Sequence, residues 1–313
     1  MIDLTIITPT YNRAELLKKC FSSLLEQTSF DFEWIVVNDG STDGTGDVMR
    51  KITEGKAPFP IQYIEKENGG KHTALNASHP YIHGKYVLIL DSDDQLTEDA
   101  VERALLAWKK WDAEPDVGIV TLLKGKDREH PNCYAAEENV PVDILAYPRI
   151  CPVSNDACEV IRTELFRQYP FPVFPGEKFI AEGALWGRVS FTHKCVYVNR
   201  VIYLCEYLED GLTVAGRAMR AKNPRGGMFH ANLYMASKNS LKVRLKNGLL
   251  YTCYGCFAAL NPREMAALCD HKALMWLCLP FGYCLYRLWK HQLRKHQSYT
   301  PGSGRDARRF GAE

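Results

Sequence analysis

"VLILDSDDQL" (87–96) decides how this chain is read. Four apolar residues, Val87 to Leu90, run without polar alternation, as in a strand buried on both faces. The run then ends in three acids within four positions, Asp91, Asp93 and Asp94. Carboxylates crowded at a strand end repel one another and gain nothing from the core. Some positive charge must offset them.

Working outward, the same pattern recurs. "LTIIT" (4–8), "FEWIVVND" (32–39), "IQYIEK" (61–66) and "VGIVTLL" (117–123) are further short, β-rich apolar runs. Helical periods separate them. "AELLKKCFSSLLEQ" (14–27) sets Leu17, Cys20, Phe21, Leu24 and Leu25 on one stripe. "TEDAVERALLAWKKW" (97–111) opens with Thr97 as expected N-cap and acids in its first turn. Strands alternating with helices predict an α/β fold with a mostly parallel sheet covered on both faces. Ligands of such sheets bind beyond the carboxyl ends of the strands. There the sequence delivers "TPTYNR" (8–13), "NDGSTDGT" (38–45), "ENGGKHT" (67–73) and "DSDD" (91–94), four polar loops expected at one edge.

Each loop has a chemistry. Asp91 and Asp93 flank Ser92, so on extended chain both carboxylates point one way. Hard oxygen ligands suit Mg²⁺ or Mn²⁺, and a metal held by one or two carboxylates completes its shell with substrate phosphates and water. A solvated strand-to-helix turn, capped by Asp94 or Thr97, is the plainer alternative. Asp39 can accept from a base N–H or a sugar hydroxyl, while Asp43 or Thr42 suits an N-cap in an Asx-type turn. "GGK" (69–71) is no Walker A, since Glu65 stands where that motif needs Gly. Lys71 can still place a charge on a diphosphate, or be a surface lysine at a helix start.

Bulk properties exclude little. Hydrophobic residues make up 46% and charged residues 24%, ordinary for a globular protein. A net charge of +2 gives no reason to expect nucleic acid. Eleven cysteines show no framework spacing, and the first residues read as a strand rather than a leader, so reduced thiols in the cytoplasm are expected. "CYGC" (253–256) has no second ligand pair and is expected to be structural.

"TIITPTYNR", "IVVNDGSTDGT", "ENGGKHTALN" and "VLILDSDD" resemble, in order and spacing, the N-terminal half of a family 2 glycosyltransferase, over residues 3 to about 110. That family is inverting and nucleotide-sugar-dependent, with a GT-A (Rossmann-like) fold. "YPFPVFPGEKFIAEGALWGRV" and "YLEDGLT" (207–213) resemble its bacterial surface-polysaccharide members. The resemblance implies a UDP-sugar donor, Mn²⁺ or Mg²⁺, and a glycan or lipid-linked acceptor. It implies that Pro9, Tyr11, Arg13, Asp39, Lys71, Asp91 and Ser92 bind the nucleotide sugar, with Tyr11 against the uracil or ribose. Asp93 would be the main metal ligand, Asp91 a second, and His230 a candidate to complete the shell. Many members place the general base as the Asp of an "ED" pair, and here Gly183 stands in that place. Glu182 is the preferred base, with Trp186 one turn on to wall an acceptor sugar. Glu177 is its rival, about 140° away if both lie on one helix.

Three segments are expected: residues 1–215 as the nucleotide-sugar-binding and catalytic domain, 216–297 as a helical, basic and aromatic extension, and 298–313 as a disordered tail. "ALMWLCLPFGYCLYRLW" (273–289) is shorter than the ~20 apolar residues of a spanning helix. With "KHQLRKH" (290–296) it reads either as a peripheral membrane helix or as one completing the core. "RAMRAKNPRG" (217–226) reads as a phosphate contact or a solvated face. Two other functions suit a similar sheet. A nucleotidyltransferase would carry a Gly-rich basic loop where this chain has "PTYNR" (9–13). A non-catalytic nucleotide- or glycan-binding module would need neither Asp93 nor Glu182.

Overall fold

The computed structural model describes residues 2–145, 149–154, 156–205 and 212–297. Most of "YLEDGLT" and the tail from 298 lie outside them. The chain divides into two compact units, Met1–Val173 with Glu182–Glu206, and Phe174–Ala181 with Tyr207–Glu313. Residues 174–181 thus join the second unit, where one domain over 1–215 was expected.

In the first unit the chain runs through β1 (Leu4–Thr10), α1 (Ala14–Leu25), β2 (Phe32–Asn38), α2 (Thr45–Glu54), β3 (Ile61–Glu65), α3 (Lys71–Ser78) and β4 (Tyr86–Ile89). It continues through β5 (Gln95–Leu96), α4 (Ala100–Trp111), β6 (Val117–Gly125), β7 (Tyr134–Ala135), β8 (Pro141–Val142) and β9 (Arg149–Ile150). The last elements are β10 (Ala157–Arg162), α5 (Thr163–Gln168), α6 (Gly183–Val189) and β11 (Lys194–Leu204). The main sheet has the order β3-β2-β1-β4-β10-β6-β11-β5, with β8 against β11.

β3, β2, β1 and β4 are parallel neighbours, so their carboxyl ends share one edge, as expected. The other half is mixed. β10 runs antiparallel between β4 and β6, while β11 lies parallel to β6. β11 is a single strand whose register against β6 shifts between Tyr197 and Val201 and again before Tyr203. That irregularity brings Tyr203 opposite Lys124.

All seven residues of β1 and of β2 are buried, consistent with cover on both faces. α1 buries Leu17, Cys20, Ser23 and Leu24. Leu25, expected on that stripe, is exposed, and Phe21 is only partly buried, stacked on Trp34 at 5.4 Å. Asp99, not Thr97, precedes α4, and the Thr97 hydroxyl donates to its carboxylate at 2.9 Å. Gly84 is required before β4, because a Cβ there would collide with the Leu4 and Thr5 backbone.

Residues 177–190, "EKFIAEGALWGRVS", carry a helical pattern, but the helix observed within them is shorter. α6 begins at Gly183, so Glu177 and Glu182 do not share a helix and the 140° comparison between them falls away. Glu177 has another task. Its carboxylate accepts the backbone N–H groups of Arg225 and Gly226 at 2.7 and 2.8 Å, satisfying orphan donors at the start of a second-unit helix.

The second unit is helical: α7 (Leu212–Lys222), α8 (Pro224–Tyr234), α9 (Leu241–Phe257), α10 (Pro262–Ala267) and α11 (Lys272–Gln297). Its core gathers Met228, Met235, Tyr251, Cys253, Tyr254, Met265, Met275 and Trp289. Cys253 and Cys256 are free thiols pushed up by burial, Cys253 to about 12. α11 continues through Pro280, and Gly282 lets it approach α9, since a Cβ there would strike the Thr252 side chain.

Candidate active site

The first two loops at the sheet edge lock to each other. Asn12 adopts φ 52° and donates its N–H to Ser41 Oγ at 2.9 Å, while its side chain accepts from the Thr42 N–H at 2.8 Å. Asp43 ties the same corner by accepting from the Ala14 and Thr45 N–H groups at 3.2 and 2.9 Å. Pro9 is buried in β1, opposite Val37 of β2. The Tyr11 ring is half-exposed at that corner, available for stacking.

Asp39 sits under the third loop. It is only 3% exposed, yet carries four donors. Oδ1 accepts from Lys66 Nζ at 2.6 Å and Gly69 N at 2.9 Å, and Oδ2 from Gly70 N at 2.7 Å and Asn68 Nδ2 at 3.1 Å. A carboxylate has about four lone-pair sites. This one is therefore occupied in shaping the 66–70 loop, where a base N–H was the expected partner. Gly70 takes φ 94° to turn the chain into α3.

Lys71, the first residue of α3, points its ammonium into the acidic turn. It pairs with Asp91 Oδ1 and, at 2.5 Å, with Glu182 Oε1. Glu182 stands at the N-cap of α6, its carbonyl accepting from Leu185 N at 2.8 Å. The two carboxylates, 91 residues apart in sequence, thus meet on one cation. Burial alone would raise the Asp91 carboxyl, but Lys71 and then Lys124 outweigh it and hold it below the usual range.

The rest of the turn is fastened from behind. The Asp94 N–H bonds the Asp91 carbonyl at 3.1 Å. Tyr203 accepts the Asp91 N–H at 2.9 Å and donates to Asp94 Oδ2 at 2.8 Å. Burial and the charge of Asp91 push Asp94 up to about 7. Ser92 is buried and Asp93 half-buried. Asp93 is also raised by burial and by Asp91, with Arg13 opposing that shift, which places Arg13 within electrostatic reach of it.

Two cations therefore answer the repulsion read from the sequence. Lys124 on β6 is the second, and no motif announced it. Its Nζ lies 4.2 Å from the centre of the Tyr203 ring. Burial would lower its pKa, but Asp91, Glu182 and Asp94 reverse that and raise it. Its one sequence signal is a charge interrupting the apolar "VGIVTLLKG" (117–125). His72 was also missed. It is buried, and neither ring nitrogen has a partner among the described residues.

Other expected site residues are placed differently. Trp186 is 8% exposed, so little of its ring is open to a sugar. His230 lies in the second unit, stacked on Tyr234 at 4.5 Å, its pKa lowered to about 4 by burial and by Arg220. No group of three or more His, Cys, Asp or Glu among the described residues is arranged to hold a metal. Asp91 and Asp93 supply hard carboxylate oxygens of the kind a divalent cation takes, and such a cation would draw its remaining ligands from phosphates and water. The raised Asp93 carboxyl is one such a charge would relieve.

Residues 5–147 match the family model Glycosyl transferase family 2. The Putative teichuronic acid biosynthesis glycosyltransferase TuaG of Bacillus subtilis is 36% identical over 101 residues, 32% of this chain. The chain spans 40% of TuaG and 16% of Glycosyltransferase GlyA of Streptococcus pneumoniae, the latter at 38% identity over 37% of this chain. Among solved structures, S. aureus TarS 1–349 in complex with UDP-GlcNAc superposes with a TM-score of 0.58 at 19% identity, covering 95% of this chain and 93% of that one. The mannosyltransferase PcManGT of Pyrobaculum calidifontis, in complex with GDP-Man and Mn²⁺, gives 0.54 at 20% identity, covering 93% and 84%. At these identities the structural likenesses speak for the fold. A GT-A fold thus lies under the four quoted motifs, and residues 5–147 are the part of the chain that matches Glycosyl transferase family 2.

Proposed function

We propose that this chain transfers a sugar from a UDP-sugar to a hydroxyl of a glycan or lipid-linked acceptor, with inversion, in building a cell-surface polysaccharide. The observation that carries the reading is the meeting of Asp91 and Glu182 on the Lys71 ammonium. A donor-side carboxylate and a candidate base meet on one lysine ammonium near the edge where four parallel strands end. The likeness to TuaG, a putative teichuronic acid biosynthesis glycosyltransferase, and to TarS in complex with UDP-GlcNAc supports the donor and pathway class.

In this reading the exposed Tyr11 ring stacks on the base, and the loop held by Asp39 lines its edge. Asp93 and Asp91 would hold Mn²⁺ or Mg²⁺, which would supply counter-charge for the departing diphosphate. Lys71 swings from its carboxylates to the leaving group and stabilises the charge developing there. Its departure frees Glu182 to take the proton of the acceptor hydroxyl. The hydroxyl oxygen bonds to the anomeric carbon from the opposite face as the bond to the diphosphate breaks, so configuration inverts.

The enzyme is proposed to work at the inner face of the plasma membrane. No described helix is long and apolar enough to cross a membrane. α11 nevertheless turns Leu277 and Phe281 outward, 61% and 64% exposed, with Cys284 and Leu288 on the same face. α9 and α11 contain eight Lys and Arg and no acid, a charge pattern suited to anionic lipid.

Donor hydrolysis tests the reaction. UDP release should require Mn²⁺ or Mg²⁺ and vanish in Asp93→Ala. Glu182→Gln should lose sugar transfer while still binding UDP. Full transfer by Glu182→Gln would remove Glu182 as the base.

A further inference from the structure

We propose that Lys124 is the fixed counter-charge of this site, a positioning residue that keeps the acidic turn assembled while Lys71 moves to the donor. The inference rests on the reading above and concerns a residue that none of the recognised motifs contains.

The two lysines differ in what holds them. Lys71 stands at a helix start beside glycines, and among the described residues its ammonium pairs with two carboxylates, Asp91 and Glu182. Lys124 rises from β6, a strand paired on both sides by β10 and β11. Its ammonium rests on the face of Tyr203, a cation–π contact at 4.2 Å. Tyr203 is itself pinned by its bonds to the Asp91 N–H and the Asp94 carboxylate. The ring therefore couples Lys124 mechanically to the turn that its charge serves.

The division of labour follows from charge. With Lys71 in place, Asp91 and Glu182 share its cation. Once Lys71 leaves for a diphosphate, those carboxylates would face each other at a partly buried site. Lys124 remains within electrostatic reach of both and of Asp94. A cation held by a strand and a ring cannot follow the substrate, which is why it suits this task.

The full chain carrying Lys124→Met or Lys124→Arg tests the idea, with wild type first shown to release UDP from the donor. Mn²⁺ affinity in the presence of UDP is measured by calorimetry, beside kcat and KM for donor hydrolysis. Removing one positive charge near a dication should tighten Mn²⁺ by about threefold or more. It should also lower kcat about tenfold, since Lys71 becomes the sole counter-ion and leaves its carboxylates reluctantly. KM for the donor should change less, and Lys124→Arg should restore both values. If Lys124→Met does not fold, the charge-balanced Glu182→Gln/Lys124→Met pair replaces it. That pair should bind Mn²⁺ more tightly than Glu182→Gln alone. Wild-type Mn²⁺ affinity and kcat in Lys124→Met, or equal Mn²⁺ affinity of pair and single variant, would overturn the proposal. Wild type without donor turnover would instead sink the glycosyltransferase reading.

Discussion

Lys71→Met isolates the electrostatic arrangement that the proposed reaction depends on. The side chains of Lys71, Asp91 and Glu182 are 23%, 28% and 27% exposed, so all three are largely out of water. Removing one partner from a buried ion pair costs about 3–5 kcal/mol, because the remaining charge is left uncompensated. Here two carboxylates lose their shared cation, but Lys124 remains close, so the lower end, about 3 kcal/mol, is expected. For a unit of roughly 200 residues that is a fall in Tm of about 6–12 °C. The pH dependence carries the sign. In wild type, Lys71 depresses the Asp91 carboxyl, so its contribution is present above the unfolded carboxylate range and lost on acidification. In the variant, burial opposed only by Lys124 raises that carboxyl, so its penalty is present at neutral pH and relieved as protons bind. The stability gap between the two proteins should therefore shrink steadily from pH 7.5 to pH 4.5. Calorimetric melts across that range, with and without Mn²⁺, provide the assay. Mn²⁺ should stabilise the variant more than wild type, since a cation then fills the deficit. A Tm gap under about 2 °C, or one independent of pH, would refute the electrostatic account of the site.

Other parts of the chain make their own predictions. Asp99 is held down to about 2, because bonds from Arg103 and Thr97 and the charge of Arg128 outweigh its burial. Its contribution is present above about pH 4 and lost toward pH 2, so Asp99→Asn should cost about 2 kcal/mol at pH 7 and nothing near pH 2, by urea titration. Glu177→Ala should destabilise the second unit by about 1–2 kcal/mol through loss of its cap, read as faster hydrogen exchange in α8. Unchanged exchange with impaired acceptor binding would restore Glu177 to the acceptor site. Leu277→Ser with Phe281→Ser should abolish sedimentation with vesicles containing phosphatidylglycerol, and 0.5 M salt should weaken wild-type binding. Equal binding to neutral vesicles would argue against the charge component.

The edge where the site forms was legible because it follows from local pattern. Apolar runs of strand length that end in "TPTYNR", "NDGSTDGT", "ENGGKHT" and "DSDD" need only parallel pairing to converge, and β1 to β4 with β2 and β3 supply it. Lys71 and the acidic turn were legible for the same reason. Helix ends were less so. Glu177 and Glu182 looked like residues of one helix, yet bonding from the α8 backbone draws Glu177 away before α6 begins. By residue type Asp39 suited a base N–H or a sugar hydroxyl, and the resemblance set it against the base; its bonds to backbone N–H groups 30 and 31 residues later had no signal in the sequence.

By itself the sequence determined the α/β layering, the strand ends that carry polar chemistry and the match of residues 5–147 to the family 2 model, since all three depend on short-range periodicity and motif spacing. Tertiary structure alone decided what neutralises the acids. Lys124 lies 33 residues beyond Asp91, and Tyr203 reaches it only because β11 shifts register against β6. Charges interact through space, over distances that no spacing along the chain records.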